Sequence, residues 1–378
     1  HYPIFAFARL VDVNGVGTNE KIWLILLTIT LSIMSYYLIE KPFRNKQFLS
    51  IKKFSVGILI LLSALLGLNW KAIIDVKNLE SRLPKLLTKD KSIFTEKIWL
   101  KLKIGDSSCY ERKDNFCQIG NNNKAIINIV GGSHLAAIQS NLVERLQSDY
   151  KFISMTDDGC WLIKDAFRFK DKEALNLDKK CGLDYQNKRI EKVKENPNSI
   201  ILMGGRLPVI LHEYLFDNEE GGVEGKEFSR RWQTKNRKPI KQAIKDSMFD
   251  LMNEGHKIIL IYPIPEVGWN VPSQLFKELP KNVVDMKDWI NKKGITTSYE
   301  VFKKRTQSSF ELLDSIKHPN LYRVYPHKLF CDNQIKGRCI THDDENIFYA
   351  DDDHPSNEGA KLINNLIVNQ LKLIETGK

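Results

Sequence analysis

Residues 126–138, which read Ile126-Ile127-Asn128-Ile129-Val130-Gly131-Gly132-Ser133-His134-Leu135-Ala136-Ala137-Ile138, set the architecture of this chain. A β-branched apolar run predicts a buried strand, two glycines end it, and the apolar residues that follow recur with helical spacing. In open α/β sheets, ligands bind at the carboxyl ends of such strands. Ser133 would begin the helix, where free N–H groups favour negative charge. It is therefore either a helix N-cap or a nucleophile.

A second stretch, Ala350-Asp351-Asp352-Asp353-His354-Pro355-Ser356-Asn357-Glu358-Gly359-Ala360, places three carboxylates before a histidine and a helical pattern after it. A carboxylate three residues before a histidine can hydrogen-bond the imidazole and fix its tautomer. The other ring nitrogen is then free to take a proton from a serine. The spacing favours Asp351 as this carboxylate, with Asp352 and Asp353 as alternatives. An acidic loop that caps the last helix, or a divalent-cation site, would have the same pattern.

Together the two stretches resemble the SGNH (GDSL-like) hydrolase superfamily, in which an early G-D-S block carries the nucleophile and a late D-x-x-H block completes the triad. The resemblance implies Ser133 as nucleophile, His354 as base and Asp351 as the orienting carboxylate. It also implies a three-layer, flavodoxin-like α/β/α domain. The family has an aspartate before the serine, where this chain has Gly132. His134 is expected to face outward.

The oxyanion hole is the less defined part of the resemblance, because the chain lacks the family's G-x-N-D block and its asparagine. The best-placed segment is Ile200-Ile201-Leu202-Met203-Gly204-Gly205-Arg206. Arg206 or a nearby backbone N–H is a candidate replacement, although a turn with a surface arginine would have the same sequence. Gly159 follows the second predicted strand, where family members place a backbone donor. The N–H groups around Ser133 complete the candidate set.

The rest of the C-terminal part alternates strand and helix patterns. Apolar runs predict strands at Ala125–Val130, Lys151–Met155, Ser199–Met203, Lys257–Pro263 and Leu321–Tyr325. Helical spacing predicts helices at Leu135–Leu146, Pro239–Glu254, Tyr299–Ile316 and Asn357–Ile374. This alternation predicts an α/β fold with a mostly parallel sheet covered on both faces. Ser133 and His354 are then expected at one end of the sheet.

Two N-terminal runs are apolar enough for a bilayer. Ile22–Ile39 is nearly uncharged, and Phe54–Trp70 is rich in Leu and Ile. Each approaches the ~18–20 residues that cross a hydrocarbon core, and a pair of buried core helices is the alternative. The positive-inside rule places the basic residues between the runs in the cytoplasm, namely Lys41, Arg44, Lys46, Lys52 and Lys53. Two crossings then put everything after Trp70 on the outer side.

The end of the first run, Ser35-Tyr36-Tyr37-Leu38-Ile39-Glu40-Lys41-Pro42-Phe43-Arg44, resembles the closing helix signature S-Y-Y-x-x-E-x-P-x-R of the acyltransferase-3 family of integral membrane proteins. The matching residues are Ser35, Tyr36, Tyr37, Glu40, Pro42 and Arg44. Glu40 and Arg44 can pair at the membrane interface, and Pro42 stops the helix. Because the chain opens at His1 without methionine, we expect a fragment whose membrane active site lies upstream.

Four regions are therefore expected. Residues 1–50 form the C-terminal end of the acyltransferase-3 membrane domain, with one transmembrane helix at about 22–39, and residues 51–72 add a further transmembrane helix. Residues 73–124 form a linker region with helices at Val76–Leu87 and Phe94–Ile104. Residues 125–378 form the SGNH domain.

Six cysteines all follow the second apolar run: Cys109, Cys117, Cys160, Cys181, Cys331 and Cys339. An even number confined to the side expected to be outside predicts disulfides in an oxidising compartment. Close spacing favours Cys109–Cys117 and Cys331–Cys339, which leaves Cys160–Cys181, although sequence alone does not choose among the possible pairings. Zinc is the alternative, but the sequence has no C-x-x-C pair.

The chain is basic, with 57 Lys and Arg against 46 Asp and Glu and a formal net charge of +11. The lysines are scattered and no nucleic-acid-binding motif occurs, so nucleic acid is not an expected partner. Loops beside membrane helices, or a surface that faces anionic glycans or lipids, account for the charge as well.

These observations lead to an expected function: an O-acyltransferase with a serine acyl-enzyme, modifying a cell-envelope glycan such as lipopolysaccharide O-antigen. By resemblance, acyl-CoA is the ultimate donor through the membrane domain, and this fragment binds no cofactor and needs no metal. The expected location is the bacterial inner membrane, multi-pass, with the C-terminal domain in the periplasm. An SGNH carbohydrate esterase and a non-catalytic domain that presents glycan to the membrane active site are the alternatives.

Overall fold

The computed structural model describes residues 2–11, 18–41, 51–80, 97–112, 115–169, 181–212, 214–225, 231–279, 288–289 and 294–377, with the single residues 86, 89 and 93. The chain divides into two compact units, residues 1–83 and residues 84–378.

The first unit is helical. Its elements are α1 (Tyr2–Val11), α2 (Thr18–Ser35), a π-helical turn (Tyr36–Glu40) and α3 (Ile51–Glu80). Within the described ranges, one helical segment has the length and composition to cross a membrane: the 20 residues Ser55–Ile74 in α3, with mean hydropathy 1.9 and no buried residue. At ~1.5 Å per residue this segment matches the thickness of a hydrocarbon core.

The structure therefore offers one candidate span where the sequence predicts two. The first predicted span, Ile22–Ile39, covers most of α2 and runs into the π-helical turn, and its crossing of a bilayer stays a prediction. Tyr36 and Tyr37, from the segment that resembles the acyltransferase-3 signature, lie in that turn. Several residues of the predicted juxtamembrane segment lie outside the described residues: Pro42, Phe43, Arg44 and Lys46.

The second unit is a three-layer α/β/α domain around a six-stranded sheet. Across the sheet, the strands are β11 (Leu321–Val324), β9 (Lys257–Ile261), β7 (Ile200–Gly204), β4 (Ile126–Gly131), β5 (Lys151–Thr156) and β3 (Cys117–Gly120). Neighbouring strands are parallel, except that β3 is antiparallel to β5. Three two-stranded sheets are smaller: β1 (Lys103–Ile104) with β2 (Ser107–Ser108), β6 (Ala166–Phe169) with β8 (Arg231–Thr234), and β10 (Thr296–Ser298) with β12 (Arg338–Ile340).

Alternation along the strands supplies a buried apolar layer on each face of the sheet. One set of side chains, including Val130, Met155, Met203 and Leu260, forms the main core with residues of α5 (Leu183–Lys194), α7 (Ile240–Asn253) and α9 (Tyr299–Asp314). The helices α4 (Ser133–Leu146) and α11 (Asn357–Thr376) contact the sheet and each other and form the other layer. The remaining helices are α6 (Leu207–His212), α8 (Val271–Glu278) and α10 (His327–Phe330).

The α/β class and the mostly parallel sheet are confirmed, and each of the five predicted strands begins and ends within two residues of its expected bounds. The linker prediction is less accurate. Residues 76–80 continue α3, residues 98–100 form a 3₁₀ turn, and residues 103–104 form β1. Part of the predicted linker helices, residues 81–85, 87 and 94–96, lies outside the described residues.

All six cysteines are paired, as Cys109–Cys117, Cys160–Cys181 and Cys331–Cys339. The first and third pairs are those that close spacing favours, and the second is the pair that this choice leaves. The 331–339 pair joins residues that also form a β-bridge, so local backbone geometry already holds its partners together.

Strand β4 is where the sheet order reverses. The chain passes from β4 to β5 on one side and then returns to β7 on the other. The crevice at the carboxyl end of such a strand is where open α/β sheets bind ligands. Ser133 begins the helix that follows β4, so it lies at this crevice.

Candidate functional site

The turn that carries Ser133 depends on glycine at the end of β4. A Cβ on Gly131 would lie 2.1 Å from the carbonyl oxygen of Gly204, because β4 and β7 converge there. Gly132 is the N-cap of α4, and Ser133 is its first residue. The N–H of Ser133 is thus among those that a helix N-terminus leaves without an intrahelical acceptor.

His354 lies in the loop before α11, and backbone contacts hold this loop on both sides. The N–H of Ala350 donates to the carbonyl of His354 at 2.8 Å, and the N–H of Val267 donates to that of Asp352 at 2.8 Å. Ser356 caps α11, its Oγ accepting from the N–H groups of Glu358 and Gly359. The imidazole is therefore carried by a fixed turn.

The three residues predicted as a triad meet. Ser133 Oγ lies 2.8 Å from His354 Nε2, although the two residues are 221 positions apart in sequence. On the other side of the ring, His354 Nδ1 lies 2.9 Å and 3.1 Å from the two carboxylate oxygens of Asp351. A neutral imidazole with its proton on Nδ1 would have Nε2 free to accept the serine proton.

Asp353, which the sequence suggests only as an alternative to Asp351, also contacts Nδ1 of His354. Its Oδ1 lies 2.6 Å from His354 Nδ1. Its Oδ2 accepts from His134 Nε2 at 3.0 Å and pairs with Arg206 Nη1 at 2.9 Å. The side chain of Asp353 is 4% exposed, so these partners compensate a charge that water does not reach.

Arg206 does not lie at the surface. Its guanidinium pairs with Glu224, Glu266 and Asp353, with Nη1 donating to Glu224 Oε1 at 2.8 Å. Glu266, which is 3% exposed, also accepts from Arg305 Nε at 3.0 Å. The predicted oxyanion role for Arg206 does not fit these contacts, because its guanidinium already pairs with three carboxylates.

The carboxylates shift the protonation of this cluster. Burial by itself lowers the pKa of His354, but the charge of Asp353 and the hydrogen bonds with Asp351 and Asp353 hold it well above its usual range. Burial tends to raise the pKa of Asp353, yet Arg206 and the two histidines hold it well below its usual range. Burial and the neighbouring carboxylates raise the pKa of Asp352 to about 8.

Gly159, one of the predicted oxyanion-hole donors, lies near the turn that precedes Ser133. A Cβ on Gly132 would be 3.4 Å from Gly159 Cα and 3.6 Å from its nitrogen. Gly159 has a φ of +56°, the left-handed region that favours glycine. The structure thus places the Gly159 amide beside the turn that presents Ser133.

Comparison with known proteins identifies the domain. A family model described as the SGNH domain fused to AT3 domains matches residues 105–369. The chain belongs to this SGNH family. Among curated proteins, no match to the sequence was found.

Solved structures similar to this SGNH chain include two bacterial proteins. The periplasmic domain of the lipopolysaccharide acetyltransferase from Salmonella ser. Paratyphi A is 17% identical with a TM-score of 0.39, and the match covers 66% of this chain and 85% of that one. A GDSL-like lipase from Bacteroides thetaiotaomicron is 10% identical with a TM-score of 0.33, over 66% of this chain and 88% of that one.

Several residues of this SGNH site were not found from sequence. His134 was expected to face outward, but it is 2% exposed and hydrogen-bonded to Asp353. Glu224 and Glu266 carry no local signal, since each meets Arg206 only through the fold. Trp99, whose ring centroid is 4.4 Å from that of His354, precedes the matched domain and belongs to no recognisable pattern.

Two groups of side chains in the SGNH site have donor atoms close enough for a metal ion. One comprises His134, Asp353 and His354, and the other comprises Glu224, Asp352 and Asp353. Both include Asp353, whose oxygens already contact His354, His134 and Arg206. The Arg206 guanidinium also pairs with Glu224 of the second group.

Proposed function

We propose that this SGNH protein is an O-acyltransferase, with acetyl as the transferred group, that acts on a cell-envelope glycan such as lipopolysaccharide O-antigen. The observation that carries the proposal is the 2.8 Å separation of Ser133 Oγ and His354 Nε2, with carboxylates on the opposite ring nitrogen. The family's fusion to AT3 (acyltransferase-3) domains supports acyl transfer over hydrolysis, because it joins a serine-histidine site to a membrane acyltransferase domain.

In the first step, Ser133 attacks the carbonyl of an acyl donor and His354 Nε2 takes the hydroxyl proton. The carbonyl oxygen becomes an oxyanion, to which the N–H groups of Ser133 and Gly159 would donate. When the tetrahedral intermediate collapses, the leaving group departs with the proton from His354. The acyl group is then an ester on Ser133.

In the second step, a sugar hydroxyl attacks the acyl-serine and gives its proton to His354. Collapse of this intermediate returns the proton to Ser133 and releases the acylated sugar. Asp351 holds Nδ1–H in both steps and stabilises the imidazolium. Water in place of the sugar hydroxyl would give the esterase reaction with the same residues.

Three features support a membrane location and a periplasmic compartment for this protein. The apolar helical segment Ser55–Ile74 has the composition of a transmembrane helix. In α2, the hydroxyls of Thr28 and Thr30 donate to backbone carbonyls four residues earlier, which satisfies these hydroxyls without water. The three disulfides fit an oxidising periplasm. We infer a multi-pass protein of the bacterial inner membrane whose AT3 domain passes acyl groups from cytoplasmic acyl-CoA.

The test uses the chain in detergent with p-nitrophenyl acetate as donor, with and without a de-O-acetylated lipopolysaccharide oligosaccharide. Acetyl ester on the sugar is measured by mass spectrometry, and p-nitrophenol release is measured in parallel. Ser133→Ala is expected to abolish both signals. Ser140→Ala, on the same helix two turns further along, is the matched control and should retain them.

Each outcome decides between functions. Acetylated sugar that requires Ser133 supports the transferase. Donor hydrolysis that requires Ser133, without acetylated sugar at saturating acceptor, would overturn transfer in favour of an esterase. Retention of both activities in Ser133→Ala would overturn the serine assignment, and glycan binding without either activity would indicate a glycan-presenting domain.

A further inference from the structure

The segment that precedes the family domain packs against it. Ile98, the first residue of the 3₁₀ turn Ile98–Leu100, is 6% exposed, and Leu102, two residues after the turn, is 7% exposed. Polar contacts hold the same segment at two further points: Lys89 Nζ donates to Asn346 Oδ1 at 2.6 Å, and Lys101 Nζ donates to Asn357 Oδ1 at 2.9 Å. The turn at residues 98–100 therefore packs against α4, and Lys101 contacts the first residue of the helix that follows the loop carrying His354.

Within this turn, Trp99 lies against the imidazole. The ring centroids of Trp99 and His354 are 4.4 Å apart with an angle of 37° between the planes. Trp99 is half-buried, whereas its neighbour Leu100 is exposed. A cation within ~6 Å of an indole centroid is attracted by the negative face of the ring, and tryptophan is the strongest such partner.

We propose that Trp99 completes the active site as a positioning residue, its indole stabilising the imidazolium that His354 becomes when it takes the proton from Ser133. This inference rests on the proposed function, because it concerns the protonated state of the proposed base. It also extends the site beyond the matched family domain, which begins at residue 105.

Other groups also face the imidazole of His354 and influence its protonation. Asp351 and Asp353 lie at Nδ1, Ser133 lies at Nε2, and the His134 ring meets that of His354 edge-on at 5.2 Å. The carboxylates act in the plane of the ring, whereas Trp99 acts on its face. Substitution of Trp99 therefore leaves the hydrogen bonds of His354 in place.

The experiment compares Trp99→Leu and Trp99→Phe with the original chain in detergent, with p-nitrophenyl acetate as the substrate. Leucine keeps an apolar side chain over the imidazole but has no π face to stabilise the imidazolium. The pKa of His354 should therefore fall, and the acid limb of kcat/KM should move to lower pH by about 0.5–1 unit. Phenylalanine has a weaker face and should give a smaller shift. Leu100→Ala, in the same turn, is the control that should leave the limb unchanged.

A second readout does not depend on activity. Protonated imidazole quenches indole fluorescence at contact, so the pH titration of fluorescence should contain a component that Trp99→Phe removes and His354→Asn also removes. A shifted acid limb together with this component supports the inference. An unchanged acid limb in Trp99→Leu, or survival in His354→Asn of the component that Trp99→Phe removes, would overturn it. Failure of the proposed function is recognised separately, as donor cleavage that persists in Ser133→Ala.

Discussion

Asp353 Oδ1 lies 2.6 Å from His354 Nδ1, the ring nitrogen that Asp351 also contacts. Two carboxylates at one ring nitrogen would repel each other if nothing else lay near them. The charge of Asp353 is compensated by Arg206 and His134, which contact its other oxygen. Asp353 can therefore stay ionised in a buried position and act on His354 in addition to Asp351.

The first prediction concerns Asp353→Asn. Loss of this charge should lower the pKa of His354, because Asp353 is the main group that raises it. A base works only when it is neutral, so activity appears as pH rises through its pKa, and the acid limb of kcat/KM should move to lower pH. We also expect activity above the limb to fall, on the order of 10-fold or more, since positioning of the ring is weakened.

The pH profile of p-nitrophenyl acetate cleavage measures this shift. Asp344→Asn, an exposed carboxylate ten positions before His354, is the matched control and should keep the original limb. A limb that stays in place in Asp353→Asn would show that Asp351 alone sets the protonation of His354.

The second prediction concerns the turn before Ser133. Gly131→Ala places a Cβ 2.1 Å from the backbone oxygen of Gly204, so β4 and β7 must separate. We expect destabilisation by about 1–3 kcal/mol or more, as for overpacked cores. Gly132→Ala is the control for stability, since the nearest atom to its Cβ would be at 3.4 Å, an ordinary contact.

Thermal or denaturant unfolding of both variants in detergent compares the two glycines. Equal stability of Gly131→Ala and Gly132→Ala would contradict the steric argument. The comparison also bears on the aspartate that the family has before its serine. Position 132 has room for a Cβ and position 131 has none, so contact with a Cβ does not by itself require glycine at 132.

Much of the fold follows from local pattern. The five strands that were predicted are buried apolar runs. Such runs are easy to recognise in sequence, because parallel strands are covered on both faces and are apolar along their whole length. The antiparallel strand β3 was missed, since Cys117–Gly120 has only four residues and one of them is buried, which is too short a pattern to indicate a strand. The sequence predicts a helix where the structure has the 3₁₀ turn Ile98–Leu100, because apolar residues in a charged segment do not distinguish a turn from a helix.

The site likewise contains residues that local sequence motifs predict and residues that only the tertiary structure brings together. Ser133, Asp351 and His354 were found because short motifs hold each one, and the fold then brings them together. The Arg206 network was not found, since Glu224 and Glu266 lie 18 and 60 positions from Arg206 and their meeting depends on the tertiary structure. Trp99 was missed for a similar reason, because an isolated tryptophan in a linker gives no sign of the surface it will contact.

The last prediction concerns Asp352, whose pKa is raised to about 8 by burial and by the carboxylates Asp353, Asp351 and Glu224. Between pH ~4 and ~8 the folded chain therefore holds a proton at Asp352 that the unfolded chain releases, and stability falls as pH rises through this window. Asp352→Asn removes the penalty, because an amide donates to Glu224 without carrying charge. The variant should be more stable than the original chain, by about 1–3 kcal/mol near pH 8 and by less near pH 5, since water at the partly exposed carboxyl screens part of the effect. Unfolding at both pH values in detergent measures this difference, with Asp344→Asn as the exposed control. A gain that is equal at the two pH values, or a loss at pH 8, would mean that Asp352 is ionised in the folded chain and that another group neutralises it.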